Sequence, residues 1–551
     1  MLTLHLFAVA ASCTAVPAAF GQRVITLAEV GDPLPGGGAV TASGAPEVDV
    51  ASDGAWVLRC GDGLGGTALL RSGALVLRTG DPLPGASHVT FTGDAHSVIR
   101  PGGALCFTHP TGSTPAAGIF APSYGLFWGG HLILESRVGA TVPSAPFLAP
   151  VTIEGLALCA VADEGRVLVA LYLVEAGSGA AHEALAVLDV GPSGQVVSFD
   201  LVGWTGEPAM PGVGTPLNQL LGRAELDEAG NVIWHARAAG VDHLFVGSWP
   251  VFSEGAPAPL PGVRWGHQTR PIACDAAGLG SWVARAMLET GEELLVRGAP
   301  VAQVARRNGA ALAAAGGAAV WFAGFDDAAW LTPDGRVLWR GTWTPSGPGN
   351  TEPRDGLFLD DELLCATGDQ TDRGGTIVAV HHIDLAPGGR FVALEARVQP
   401  PTGGPARLAW LRLELPFGER FGVASLCSTG APGRLTAYGT ARATANDLTV
   451  TARDLPRDAY GVLLTARGRA SYPLPGGSQG ALLLAPPLHF WSDRVARADA
   501  QGHLEVTIDL TQPLLGAPPT AGDTWHFQLW FRDRNPTPTT NTTNGVTVTL
   551  D

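Results

Sequence analysis

Four carboxylates recur at one kind of position in this chain. Asp32, Asp81, Glu207 and Asp369 each follow a glycine at the end of an apolar run, in "GDPLPG", "GDPLPG", "GEPAMPG" and "GDQTDR". Carboxylates are hard oxygen donors, so turns gathered on one rim could collect calcium or a cationic ligand. The local alternative is that each accepts backbone N–H bonds and fixes its own turn, and this is the role expected for all four. His381, His382 and Asp384 offer a second constellation. Strand alternation puts His382 and Asp384 on one face, but two ligands without a third do not make a metal site, and a hydrogen-bonded strand histidine is expected. Residues 476 to 480 spell G-x-S-x-G, which in hydrolases lifts a serine on a strand-to-helix elbow. Here a proline-rich turn precedes Ser478 and a strand follows, so no nucleophile is assigned. Arg532 and Asp533, beside Trp530, read as a local ion pair or turn brace. Trp56, Trp234, Trp282 and Trp339 fall in strand-like runs and read as packing rather than as a sugar platform. No catalytic residue and no cofactor is assigned, and calcium at the four turn carboxylates is the one metal candidate.

The totals restrict the function classes. The formal charge is −16 and every cation is an arginine. No run of clustered arginine with interleaved aromatics supplies the basic face that a phosphate backbone needs, so nucleic acid is not an expected partner. Six cysteines lie beyond residue 22, at 60, 106, 159, 274, 365 and 427, with no C-x-x-C pair. Disulfides and buried free thiols both fit that scatter, whereas zinc does not.

The N-terminus, "MLTLHLFAVAASCTAVPAAFGQ", is an apolar run followed by small residues, with an A-x-G type cleavage site before Gln22. We read residues 1–21 as a signal peptide, although only the α-amino group and His5 supply its positive region. Lipid attachment at Cys13, in "AASC", is the rival. No later segment is apolar for long enough to span a bilayer.

The elements that must position these groups form a repeat. Glycine opens a short alternating strand at Gly54, Gly103, Gly165, Gly230, Gly278, Gly335 and Gly389, at separations of 48 to 65 residues. Hairpin-like pairs of apolar runs follow, and degenerate copies of "GDPLPG" follow several of those. The seventh unit stops half way, after "PARLAWLRLELP" at 405 to 416, while "RVITLAEVGDPLPG" at 23 to 36 is a lone final strand with its turn. Joining the two ends removes two exposed strand edges at once. Such units are long for a β-helix coil and short for independent sandwiches, and four strands with loops fit them. The expected fold is therefore all-β: a seven-bladed β-propeller over 22–416, closed by the N-terminal strand, then a C-terminal antiparallel β-sandwich over 417–551. Six or eight blades remain open because 310 to 340 is irregular. The one strand per unit that is hard to read is placed between turn and glycine motif, for instance "HVTFTGD" at 88 to 94 or "TIVAVHHI" at 376 to 383.

These signatures resemble bacterial exported proteins with tandem N-x-x-G-x-x-A-F repeats and a "GDPAPG"-like turn, over about residues 23 to 416. "CSTGAPGRL", "GSQGALLL" and "GDTWHFQLWFRDRNPTPTTNTTNGVTVTL" resemble a C-terminal module of large secreted bacterial proteins. That resemblance implies a second cysteine near "GALLL", which this chain lacks, so Cys427 stands without the implied partner. Neither resemblance implies a reaction. The expectation is an exported, non-catalytic binding protein of the cell surface or extracellular space, with a protein or glycan of the exterior or envelope as its ligand. Two alternatives stand beside it: an extracellular glycan hydrolase or lyase working in the propeller funnel, and a passive spacer attached through the C-terminal module. No Asp-box of the S-x-D-x-G-x-T-W type points to a sialidase-like site.

Overall fold

A computed structural model describes the chain from Val24 to Leu550, apart from connections of which the longest span 111–123, 137–149, 307–320 and 345–353, and apart from the side chains of several strands. Among the described residues every regular element is a β-strand. Seven antiparallel sheets of four strands come first. Sheet I comprises Glu47–Val50, Trp56–Gly61, Thr67–Arg71 and Ala74–Arg78. Sheet II comprises His96–Ile99, Leu105–Pro110, Tyr124–Trp128 and His131–Glu135. Sheet III comprises Val151–Val161, Arg166–Glu175, Ala181–Val190 and Val196–Trp204. Sheet IV comprises Leu217–Leu226, Val232–Ala238, Val241–Val246 and Trp249–Ser253. Sheet V comprises Arg270–Cys274, Trp282–Met287, Glu293–Arg297 and Ala302–Arg306. Sheet VI comprises Trp321–Leu331, Val337–Thr344, Arg354–Leu359 and Glu362–Ala366. Sheet VII takes Thr376–Leu385, Phe391–Gln399 and Arg407–Glu414 from one end of this region and Val24–Glu29 from the other.

The glycine motif marks the second strand of every sheet. Its glycine is needed because the entering turn closes in the left-handed region, at φ +82° for Gly54, +85° for Gly165 and +77° for Gly335. "TIVAVHHI" is the first strand of sheet VII, as expected. "HVTFTGD" is not the first strand of sheet II. That strand is His96–Ile99, and Ala86–Thr90 pairs instead with Pro82–Leu83 in a two-stranded ribbon. The Gly80–Asp81 turn binds back to Phe91, which holds this segment with the turn it follows.

A register irregularity recurs in all seven sheets where the third strand meets the fourth. It falls between Leu69 and Leu70, Leu126 and Phe127, Leu185 and Ala186, Leu244 and Phe245, Leu295 and Val296, and Leu357 and Phe358 in sheets I to VI. In sheet VII, Trp410 pairs with Ala28 and Leu411 with Thr26, leaving Leu27 as the extra residue. The N-terminal strand thus carries the same bulge as the other fourth strands. Bulges increase local twist, which suits the outermost strand of a strongly twisted sheet.

Each sheet packs on its successor, and the first strand of sheet I also packs on the first two strands of sheet VII. The cores therefore lie between sheets. Leu58 and Cys60 pack with Trp410 and Ala393 across sheets I and VII. Val57 packs with Phe107 and Phe127 across I and II, Cys106 with Val169 across II and III, Leu168 with Trp234 across III and IV, and Leu338 with Ile377 across VI and VII. A sheet covered on both faces has no polar side, which is why its strands read as continuous apolar runs. Trp234 stacks on Phe245 and Trp339 on Phe358, each pair with centroids 4.5 Å apart. Both indole N–H groups donate over 2.7 Å to carbonyls of the following hairpin turn, at Gly247 and Asp360.

After Glu414 the chain enters two larger sheets and a two-stranded hairpin. Glu419–Phe421, Pro538–Thr549, Thr524–Arg534 and Tyr460–Ala466 lie side by side in a six-stranded sheet, completed by His489–Phe490 and Ala496–Arg497 against Tyr460–Ala466. Arg434–Tyr438, Thr449–Arg453 and Leu504–Thr507 form a three-stranded sheet. The two enclose one core that includes Leu435, Val450, Leu463, Phe527, Leu529 and Val546. A polar junction joins this unit to sheet VII. Arg390 donates to Glu414 over 2.9 Å and to Asp447 over 2.7 Å, and Glu414 also accepts the Gly439 N–H at 3.2 Å.

Candidate functional site

The turn carboxylates are built alike. Asp32 Oδ2 accepts the Glu29 N–H at 3.0 Å, Asp81 Oδ2 the Arg78 N–H at 2.7 Å, and Asp369 Oδ2 the Ala366 N–H at 2.8 Å. The backbone of each aspartate forms a second bracket. Asp32, Asp81 and Asp369 carbonyls accept the N–H groups of Val40, Phe91 and Ile377, and the preceding Gly31, Gly80 and Gly368 donate to the same three residues, all within 2.7–2.9 Å. The turn therefore clips the exit of one fourth strand to the chain that enters the next sheet. At Gly255 the same backbone bracket joins Trp265 with Ala256 in place of the aspartate. The carboxylate reinforces this turn without being required by it. Glu207 lies outside the described residues, although Gly206 donates to Leu217 O in the same manner.

The remaining oxygens separate the three aspartates. Asp32 Oδ1 accepts from Arg373 at 3.2 Å. Asp369 is 4% exposed, and its Oδ1 is buried without a hydrogen-bond partner. Burial pushes its carboxyl up to about 6, against the pull of the Ala366 N–H and Arg354. Among the described residues no three histidine, cysteine, aspartate or glutamate side chains converge as a metal site.

His381 and His382 are both exposed, because a register shift between Val380 and His382 interrupts alternation there. Neither ring has a hydrogen bond among the described residues, which corrects the expectation of a hydrogen-bonded strand histidine. Ser478 accepts from the Thr540 hydroxyl at 2.7 Å, in a loop also held by Gln479 N–H donating to Thr540 O at 2.8 Å. Arg532 and Asp533 form no ion pair, since adjacent strand residues point to opposite faces. Asp533 faces inward and braces a turn, accepting the Ser428 N–H at 3.1 Å. Trp234 and Trp339 are core residues and Trp56 packs at the edge of the core, while the side chain of Trp282 lies outside the described residues. Cys60, Cys365 and Cys427 are free thiols. Burial, with Asp62 nearby, pushes the Cys60 thiol up to about 11, and burial raises Cys365 also, so neither is poised as a nucleophile.

One surface was overlooked in the sequence reading. The outer face of the six-stranded sheet is partly covered by the hairpin of Gly468–Pro473 and Ala481–Ala485, whose Leu484 buries Leu464 and Ala466. Gln528, fully buried there, donates to Ala481 O and accepts the Leu483 N–H, both at 2.9 Å. Beyond the hairpin the face is open. Trp530, Arg532 and Arg534 alternate along one strand, all exposed. Register sets Val462 opposite Trp530, so Tyr460 falls opposite Arg532. Tyr460 is 56% and Phe490 47% exposed. Arg497, opposite Tyr460 on the other side, is paired with Asp458 at 3.0 Å. The W-x-R-x-R alternation in "LWFRDRN" was the signal available for it.

No family model matches this sequence, and no curated protein does. Similar solved structures include the propeller of Dos1, at 11% identity over 78% of this chain and 91% of that one, with a TM-score of 0.27. A protein of unknown function from Dyadobacter fermentans matches at 13% identity, over 73% of this chain and all (100%) of that one, with a TM-score of 0.26. An exo-β-1,3-galactanase from Phanerochaete chrysosporium matches at 10% identity, over 96% and 100% of the two chains, with a TM-score of 0.20. None is similar enough to carry an activity to this chain.

Proposed function

We propose that this chain is an exported, non-catalytic binding protein of the cell surface or extracellular space, built as a closed seven-bladed β-propeller that carries a C-terminal β-sandwich. Supporting closure, Val24–Glu29 pairs with Arg407–Glu414 and bears the fourth-strand bulge, and sheet I packs on both sheet II and sheet VII. Asp372 reinforces the join by accepting the Thr26 N–H at 2.9 Å and the Thr26 hydroxyl at 2.6 Å. The observation that carries the functional reading is the use made of the recurrent carboxylates. Asp32, Asp81 and Asp369 each commit an oxygen to their own backbone, as scaffold groups do. The ligand on this reading is a protein or glycan outside the cell.

The competing reading, a glycan hydrolase or lyase, draws on one observation. Asp369 titrates near 6, as a general acid would. Its burial argues instead for a structural carboxylate, since a general acid must reach the glycosidic oxygen.

The full chain, incubated with a panel of soluble polysaccharides and with insoluble cell-envelope material, distinguishes the two. The expected result is retention on envelope material with no new reducing ends. Release of reducing ends that is abolished by a single carboxylate or histidine substitution in sheets I to VII would overturn the proposal.

A further inference from the structure

We infer that the open part of the C-terminal six-stranded sheet is a binding face for an anionic polysaccharide carrying carboxylate groups, a uronate polymer. This rests on the reading of the chain as a binding protein of the exterior and names its ligand chemistry.

Three features of the face point to that ligand. First, its aromatic rings are exposed although the neighbouring part of the same face is covered by a hairpin. Leu464 and Gln528 lie under that cover, 3% and 0% exposed, whereas Trp530, next after Gln528 on the same face, and Tyr460, beyond the half-buried Val462 on the neighbouring strand, stand at 36% and 56%. Exposed rings on a flat sheet suit stacking against sugar rings, which are apolar on their faces and polar at their edges. Second, the face carries two arginines, Arg532 and Arg534, with no acidic partner among the described residues. The intervening Asp533 is turned into the core, and Arg497 is already neutralised by Asp458. In a chain of net charge −16, a local pair of unneutralised guanidinium groups beside two rings is a specific feature. The planar fork of arginine matches a carboxylate through two parallel hydrogen bonds. Third, the two arginines stand two residues apart on one strand, about 7 Å, with Trp530 a further step along. That row is spaced to meet successive units of an extended polymer.

Nucleic acid also combines rings with anions, but it demands a longer basic track than two residues supply. An acidic peptide would satisfy the arginines and leave the row of rings without a stacking partner.

Affinity electrophoresis of the full chain in gels containing polygalacturonate, dextran or polyglutamate tests the inference, with fluorescence titration of a dT oligonucleotide alongside. Retardation by polygalacturonate alone is expected. W530A and the R532A/R534A double variant should each weaken it at least tenfold, with an unchanged melting temperature because these side chains are exposed. R532K should weaken it less than R532A if charge contributes apart from the fork, and added salt should weaken retardation of the wild type and narrow its difference from R532A/R534A. Equal retardation by dextran, polyglutamate or oligonucleotide binding would overturn the assignment of ligand. Self-association that is lost in W530A would overturn it in favour of a second copy as the occupant. If polygalacturonate retards wild type and W530A equally, this face is wrong while the binding-protein reading stands. Absence of any retardation, together with reducing ends released from a glycan, removes both.

Discussion

At the scale of single residues, Asp369 shows how one repeated aspartate can differ from its equivalents. It makes the same bond to the backbone three residues earlier as Asp32 and Asp81 do. Its second oxygen, however, is buried without a partner, while that of Asp32 meets Arg373. A native pKa near 6 against an ordinary 3.8 means that the folded protein holds this proton more tightly than the unfolded chain. The contribution of this group to stability is therefore greatest below the ordinary value and is lost as pH rises through about 6. Asp369→Asn keeps an oxygen for the Ala366 N–H and has no charge to bury. It is expected to raise stability at pH 8 by up to about 3 kcal/mol and to leave it nearly unchanged at pH 3.5. Chemical denaturation of both proteins across that range measures this, and a variant less stable at pH 8 would show that the charge is solvated.

Among the elements, the fourth strand is the most regular part of the repeat even though its sequence is not. Its bulge recurs at one register position in seven sheets, beside a third-strand leucine in six of them and Trp410 in the seventh. In sheet I the extra residue is Val76, set between Leu75 and Leu77, which pair with Leu70 and Leu69. Leu75 packs with Leu70 on one face and Leu77 with Leu69 on the other, so deleting Val76 would leave both leucines in place and remove only the bulge and its local twist. A loss of about 1–2 kcal/mol is expected. Val76→Ala, by contrast, should change little, since the residue is 37% exposed. Thermal unfolding of the pair separates the backbone bulge from side-chain packing, and equal effects would rule out a role for the bulge.

For the whole molecule, the decisive contact joins residues nearly four hundred positions apart. Val24 pairs with Leu413, and the two backbones are close enough for a disulfide between strands. The double variant V24C/L413C is expected to lose two hydrogens by mass on mild oxidation and to unfold at higher temperature, because the crosslink restricts a very long loop in the unfolded chain. Failure to crosslink in the folded protein would contradict ring closure, and with it the propeller reading. The junction of Arg390 with Glu414 and Asp447 then fixes how the C-terminal unit sits on sheet VII.

Much of this architecture was legible in the sequence. Glycine before an apolar run marked the second strands because a tight turn needs left-handed φ, and the stranded final strand at residues 23–36 anticipated its pairing with the segment near residue 410. These are local constraints, set by backbone sterics and by the need to pair every strand edge. The tertiary structure decided what depends on neighbours distant in sequence. Which aspartate is neutralised, which imidazole is exposed by a bulge and which part of a sheet is covered follow from packing and desolvation. Arg532 and Asp533 illustrate the division: their adjacency suggested an ion pair, but strand geometry sends one to solvent and the other to the core, and only the fold determines which.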